Sequence, residues 1–461
     1  MESECPGQRK AVLIVSNEAV VPESEPFLTE SDTLAEEAGL QLWVGVVALV
    51  GAMLYVWLLS RSWVGKDQII LLTLGEKFAR TGVLDPVAKG MSGGGTIPGS
   101  LLQLLIGLPL MLWQDYRAPL VLIGVLNILA GIVIYRVASK EFNPTALFIY
   151  FTIYWLSPWR IVHAAMLWEP AFLFLPAALH FWSASKLAKE KHIVASITLG
   201  AVLLAVPQIH GSFLFLWILT ALLLWKKELR IHWLGFLIGA LIGGATFTPM
   251  IVAFFNSSLP SGLPSDGFIG KGFLFVAPFL KGIIYWLRLP TLDLEIKEIV
   301  YLQSGWATNV GQSIAVILFH ALQIVETLTI ILSLLASWWY IRRFRAKEIC
   351  FNNLSWVERY GFYAFLSLIT CGGLAPVYLQ RWHVIIALHA AMIGFAIWAS
   401  HQSEKLPRFW QYFTAYSLTG ILVVMILGYG QPAFRIGALP TDVTITMDVA
   451  KLFPITQPAN R

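Results

Sequence analysis

The residues of this 461-residue chain that could do chemistry are few, and they stand at the ends of apolar runs. Asp67 follows the first run, in RSWVGKDQ, and Lys89 opens KGMSGGGTIPGS, whose glycines let a backbone approach a ligand closely. His163 and Glu169 lie in WLSPWRIVHAAMLWEP, Gln208 and His210 in AVPQIHGSF, and Arg381, Trp382 and His383 in YLQRWHVI. A carboxylate held at a membrane interface is partly desolvated, which suits a proton acceptor. A guanidinium takes two phosphate oxygens through parallel hydrogen bonds. Imidazoles and amides at membrane depth are costly and mark a pathway. Each residue has a plainer counterpart: Asp67 as a boundary charge paired with Lys66 or Lys89, Arg381 and Trp382 as interfacial anchors, the histidines as partners of nearby carbonyls. Glu169 precedes Pro170, a position biased away from helix, so its carboxylate belongs at a helix mouth, where it could support Arg160. The set holds no tight pair such as D-x-D or H-x-x-x-H, and the three cysteines have no metal or redox spacing, so no metal is expected.

The elements that must position these residues follow from composition. With 57% hydrophobic and 13% charged residues, nineteen Trp and a mean hydropathy of +0.70, the chain cannot hide its apolar surface in a water-soluble core. An all-α polytopic membrane protein is expected, with about eleven spans on runs of roughly 17 to 25 residues or slightly fewer. The runs are 41–60, 117–137, 144–159, 169–185, 193–208, 211–225, 233–255, 312–341, 360–377, 384–400 and 410–428. With the N-terminus cytoplasmic, alternate loops (YRVASKE, KLAKEKH, KKELR, RRFRAKE to Arg359, KLPR) hold fifteen Lys and Arg on the inner side. The segments 61–116, 256–311 and 429–461 then face outward. The +5 net charge comes mostly from these flanking residues and does not argue for nucleic acid.

Five parts are expected: an acidic, disordered cytoplasmic tail over 1–40; a membrane module over 41–255 with its first outer loop at 61–116; an outer flap over 256–311; further membrane helices over 312–428; and an outer tail over 429–461. From Ile69 the first outer loop is amphipathic, with Ile70, Leu74, Phe78 and Ala79 at helical spacing, which predicts a helix lying along the interface. A second short apolar helix is predicted over Leu101–Trp113. In the flap, Phe273 to Leu287 reads as a surface helix with Lys281 and Arg288 facing headgroups, and the glycines at 267, 270 and 272 permit a hinge.

This order of features resembles the GT-C membrane glycosyltransferases, in particular the bacterial branch related to aminoarabinose transferase and the protein O-mannosyltransferases. The resemblance rests on an Asp just outside the first span, an interfacial helix ending in ART-G, and GTIPGSLLQLLIGLPLML. It rests also on the Ser-Pro segment leading to Glu169-Pro170, the Gln-x-His of Gln208 and His210, and the Arg-Trp of Arg381 and Trp382. Many relatives carry Asp-Glu where this chain has Asp67-Gln68, and several carry Asn where it has Glu169.

The resemblance implies a sugar carried on polyprenyl phosphate and passed, with inversion, to a lipid, glycan or protein acceptor at the outer face. Asp67 would be the general base and Arg381, helped by Lys89, would hold the phosphate. Glu169, His163, His210, Gln208, Trp382 and His383 would line the substrate site. The implied setting is the bacterial inner membrane, with the bilayer and the lipid-linked sugar as partners, no nucleic acid, and no cofactor beyond the donor. The rival from another class is a transporter or flippase of lipid-linked sugars, which predicts repeats and interrupted helices in matching halves.

Overall fold

The computed structural model describes residues 30–90, 96–256, 276–293, 311–374, 379–406, 408–429, 435–436 and 452. It is helical nearly throughout. The first helix, α1 (Glu30–Leu59), is followed by the short strand β1 (Trp63–Val64), then α2 (Lys66–Thr81), β2 (Val87–Gly90), β3 (Thr96–Pro98) and α3 (Leu101–Leu112). The bundle continues with α4 (Arg117–Glu141), α5 (Pro144–Leu156), α6 (Pro158–Ala164), α7 (Phe174–Lys189), α8 (Ile193–Ala205), α9 (Phe213–Trp225), α10 (Trp233–Gly244) and α11 (Thr248–Phe255). After α12 (Val276–Arg288) come α13 (Gln312–Arg345), α14 (Trp356–Leu374), α15 (Arg381–Val384), α16 (Leu388–Lys405), α17 (Phe409–Tyr429) and β4 (Arg435–Ile436).

The chain is an all-α, multi-pass membrane protein. Among the described residues five helical stretches are long and apolar enough to cross a membrane, or six if the bent pair formed by α6 and Glu169–Lys189 counts as one span. Shorter apolar helices, Leu101–Leu112, Pro144–Leu156, Ile193–Gln208 and Phe213–Trp225, fill the bundle between them. Helix α1 starts at Glu30, so the end of the expected tail is helical.

Small residues let helices meet backbone to backbone, the packing that replaces hydrophobic burial inside a bilayer. A Cβ at Gly239 would come within 1.8 Å of the Ile197 carbonyl oxygen, and one at Gly200 within 2.2 Å of that of Phe236, so α8 and α10 touch directly. Likewise a Cβ on Gly75 would meet Ile106 at 2.4 Å, which seats α2 against α3.

The basic loops gather at one end of the bundle. There Lys189 pairs with Glu141 at 2.9 Å, Arg359 with Glu228 at 2.8 Å, and the Arg230 N–H donates to the Leu187 carbonyl. The opposite end collects α2, the β2–β3 hairpin, the break after α6, the α8–α9 turn and α15. A parallel pairing of β1 with β4, register Trp63 to Arg435 and Val64 to Ile436, ties the C-terminal segment to the start of this region.

Two sequence expectations shift here. The buried stripe of α2 is Ile69, Leu71, Leu72, Leu74, Gly75 and Phe78, whereas Ile70 is exposed, because α2 packs on α3 as well as facing the surface. In the expected flap, α12 lies against α14: a Cβ on Gly372 would sit 2.9 Å from the Pro278 carbonyl, and Arg288 forms an ion pair with the buried Asp293. The three hinge glycines lie outside the described residues.

Candidate active site

Asp67 occupies the first turn of α2, where an N-terminus favours a carboxylate. The helix begins there because the Gly65 N–H donates to the Gln68 side chain at 3.0 Å, and it ends on Gly82 in the left-handed region, φ +67°. Lys89 comes from the antiparallel β2–β3 hairpin. That hairpin is anchored by Gly99 N–H to the Pro86 carbonyl, Ser100 Oγ to the Asp85 carbonyl (2.6 Å), and Gln103, which accepts from the Asp85 N–H at 2.8 Å. Glu169 opens a 3-10 turn at the break after α6, where the chain bends by 108°. Asn127 holds that break by donating to the Ala171 carbonyl (3.1 Å), and Tyr55 by donating to that of Ala164 (3.1 Å).

These three elements converge on one ammonium. Lys89 Nζ lies 2.6 Å from Glu169 Oε1 and 3.3 Å from Asp67 Oδ1. Burial separates the two carboxylates: the Glu169 side chain is 4% exposed and that of Asp67 50%. The partly desolvated carboxylate expected of Asp67 is therefore found at Glu169, and Asp67 is the one open to solvent with the looser contact.

A ladder of rings continues from Glu169. Trp159 stacks on His163 (6.2 Å between centroids), His163 on Trp168 (6.1 Å), Trp168 meets Trp382 (5.3 Å), Trp382 meets His383 (5.7 Å), and His383 meets His210 (5.6 Å). It joins the break after α6 to α15 and to the α8–α9 turn. The Gln380 N–H donates to His383 Nδ1 at 3.0 Å, which puts that ring's proton on Nε2, while His210 Nδ1 lies 3.1 Å from the Ser212 N and 2.7 Å from Ser212 Oγ, whose own proton goes to the His383 carbonyl at 2.8 Å. His163 is the reverse, its Nδ1 donating to the Trp159 carbonyl at 2.8 Å, which leaves Nε2 as an acceptor. Burial, with His383 and then Lys89 nearby, pushes the His210 imidazole down to about 3, so it is neutral at physiological pH.

Arg381, next to Trp382, lies within electrostatic reach of His163, and Lys281 of α12 within reach of His383. Gln208 is turned elsewhere. It is fully buried, donates to the Leu204 and Gly243 carbonyls and accepts from Thr246 Oγ, so its amide fastens α8 to α10. The structure thus brings together Asp67, Lys89, Glu169, His163, His210, Trp382, His383 and Arg381. It adds Trp168, whose position beside the Glu-Pro pair is the signal that sequence reasoning passed over. Among the described residues no group of three or more His, Cys, Asp or Glu is placed to hold a metal ion.

No protein-family model matches the chain, and no curated protein does. Among solved structures it is similar to the crystal structure of ArnT from Cupriavidus metallidurans bound to undecaprenyl phosphate, at 14% sequence identity and a TM-score of 0.45. That likeness covers 84% of this chain and 63% of the other, so the chain spans less than two thirds of that protein's length.

Proposed function

We propose that the chain is an integral-membrane glycosyltransferase that moves a sugar from a polyprenyl phosphate to an acceptor hydroxyl at the outer face of a membrane, the bacterial inner membrane being the setting that fits best. The observation that carries this reading is the sharing of Lys89 between Asp67 and Glu169 beside a half-buried aromatic and imidazole surface. Two carboxylates of unequal exposure around one cation supply the parts that the transfer needs.

In this account the donor phosphate enters between Lys89 and Arg381. Lys89 then exchanges its looser partner, Asp67, for the phosphate and keeps Glu169. The freed Asp67 accepts the acceptor hydroxyl proton as the acceptor oxygen bonds to the anomeric carbon. The bond from that carbon to the phosphate oxygen breaks on the opposite side, which inverts the centre and leaves polyprenyl phosphate held by Lys89 and Arg381. The gathering of the basic loops at the other end supports an outward-facing site, because Lys and Arg in short loops stay inside.

One observation favours a transporter, the break between α6 and α7, since interrupted helices mark transport sites. That reading asks for a second break in a matching half, and among the described residues a single pair bends this way. The purified protein offered radiolabelled sugars on polyprenyl phosphate, with membrane acceptors, decides between the two. Transfer to an acceptor supports the enzyme. Movement of intact labelled lipid across liposomes without transfer supports the transporter.

A further inference from the structure

We infer that Arg160 is a positioning residue of the site: its guanidinium, held by aromatic faces and not by a carboxylate, fixes the break that presents Glu169 to Lys89. The inference rests on the reading above in taking that ion pair as part of the working site.

Glu169, the partner that the sequence suggests for Arg160, is paired with Lys89 instead, and Arg160 lies fully buried. Its Cζ stands 4.1 Å from the ring centre of Trp155, 4.8 Å from that of Tyr154 and 5.3 Å from that of Tyr55. The one hydrogen bond of the side chain, Nη2 to the Asn127 carbonyl, is long at 3.5 Å, and Nε and Nη1 have no hydrogen-bond partner among the described residues. A cation taken out of water without a carboxylate is costly, and ring faces offset only part of that cost. An apolar side chain would fill the same volume at less cost, so packing does not account for an arginine here. A buried charge in a membrane helix marks function.

The contacts of the guanidinium point to that function. Tyr55 of α1 and Asn127 of α4 are the two residues that hold the edges of the break: Tyr55 Oη donates to the Ala164 carbonyl and Asn127 Nδ2 to that of Ala171. Ala164 ends α6, and Ala171 lies in the 3-10 turn that Glu169 opens. Arg160 lies against the Tyr55 ring on one side and reaches the Asn127 carbonyl on the other. Tyr154 and Trp155, at the end of α5, close the cage, and the Ser157 Oγ cap that starts α6 accepts from the Arg160 N–H. The guanidinium therefore fastens α6 to both anchors of the break at once. Glu169, its side chain 4% exposed, sits between the two fastened edges, where it meets Lys89 at 2.6 Å.

The test is the coupling between Lys89 and Glu169, read from melting temperatures of the full-length protein in nanodiscs. With Arg160 in place, K89M should lower the melting temperature and E169Q should restore most of the loss. In an R160M background, which keeps most of the bulk and loses the cation, the fall caused by K89M should shrink by at least half. Y55F, which removes the bond to Ala164, should shrink it as well. R160K should behave as R160M does, because an ammonium cannot lie flat against rings as a guanidinium does. R160M should itself melt close to wild type, while its release of polyprenyl phosphate from a hexosyl polyprenyl phosphate falls about 10- to 100-fold, the loss expected of a displaced site. Lost turnover at kept stability separates positioning from packing. Should R160M not fold, R160K and Y55F carry the same comparison. Full coupling in folded R160M or R160K, no coupling in the wild type, or turnover that falls only in step with the melting temperature would each overturn the inference and leave the enzyme reading standing. Coupling that weakens in R160M, in a protein whose wild type releases no polyprenyl phosphate, would support Arg160 as the anchor of Glu169 and count against the enzyme reading alone.

Discussion

Lys89 places its ammonium 2.6 Å from Glu169 Oε1, joining a surface hairpin to the break in a membrane helix across 80 positions of sequence. The contact lies on the least exposed carboxylate of the site, so each partner depends on the other. A carboxylate that is 4% exposed is tolerated only when paired.

Removing the cation alone should therefore be costly. K89M is expected to destabilise the fold by about 3 kcal/mol or more, because it strands a buried carboxylate. Adding E169Q to K89M should recover most of that loss, since no charge is then left unpaired. Thermal unfolding of the two variants in nanodiscs measures both. Equal melting of wild type and K89M would show that the pair is not a buried one.

His210 sets an acid limit. Its imidazole is held at about 3 in the fold, by burial first and then by His383 and Lys89, against an ordinary value of 6.5. Between those values the unfolded chain binds a proton that the folded chain refuses. Its contribution is therefore fully present above pH 6.5 and is lost as pH falls from 6.5 toward 3, at about 1.4 kcal/mol per pH unit. The variant H210Q should flatten the fall in melting temperature over that window. An unchanged slope would mean that His210 is already charged or open to solvent.

Gly99 ties the Lys89 hairpin to the bundle. It sits at φ +76°, and a Cβ there would come within 2.3 Å of Gln208 Oε1. G99A should cost about 1 to 3 kcal/mol through backbone strain and should also displace Gln208 from Thr246. Gly82, at φ +67° with nothing within 4 Å, provides the contrast: G82N should cost only a few tenths of a kcal/mol. Melting curves of the two variants settle the comparison, and equal losses would count against the close approach at Gly99.

Much of this arrangement was legible in the sequence, for identifiable reasons. Hydrophobic run length located α1, α4, α5, α7 to α11, α13, α14, α16 and α17, since the described part of each run proposed as a span falls mainly on helix, although among the described residues only five or six stretches, rather than eleven, are long and apolar enough to cross a membrane. Pro170 put Glu169 at a helix mouth, and Gly82 ended α2. The pairing of Asp67 with Lys89 appeared in the sequence reading as its plainer alternative. Periodicity could not reveal that Lys89 also reaches Glu169, because contacts between distant segments leave no local pattern. For the same reason Gln208 looked like a site residue beside His210, although its amide is spent on Leu204, Gly243 and Thr246. Of the stripe expected on α2, Leu74 and Phe78 are buried, whereas Ile70 lies outside, because a helix packed on α3 turns toward that neighbour.

The most direct test of the central claim is the release of free polyprenyl phosphate from a hexosyl polyprenyl phosphate in the presence of membrane acceptor, measured for the wild type and D67N. Asp67 is half exposed and loosely held, so D67N should melt within about 1 kcal/mol of wild-type stability. Its release rate should fall by about 10² to 10⁴, the loss expected of a general base. A D67N protein that folds equally well and releases polyprenyl phosphate at the wild-type rate would contradict the account.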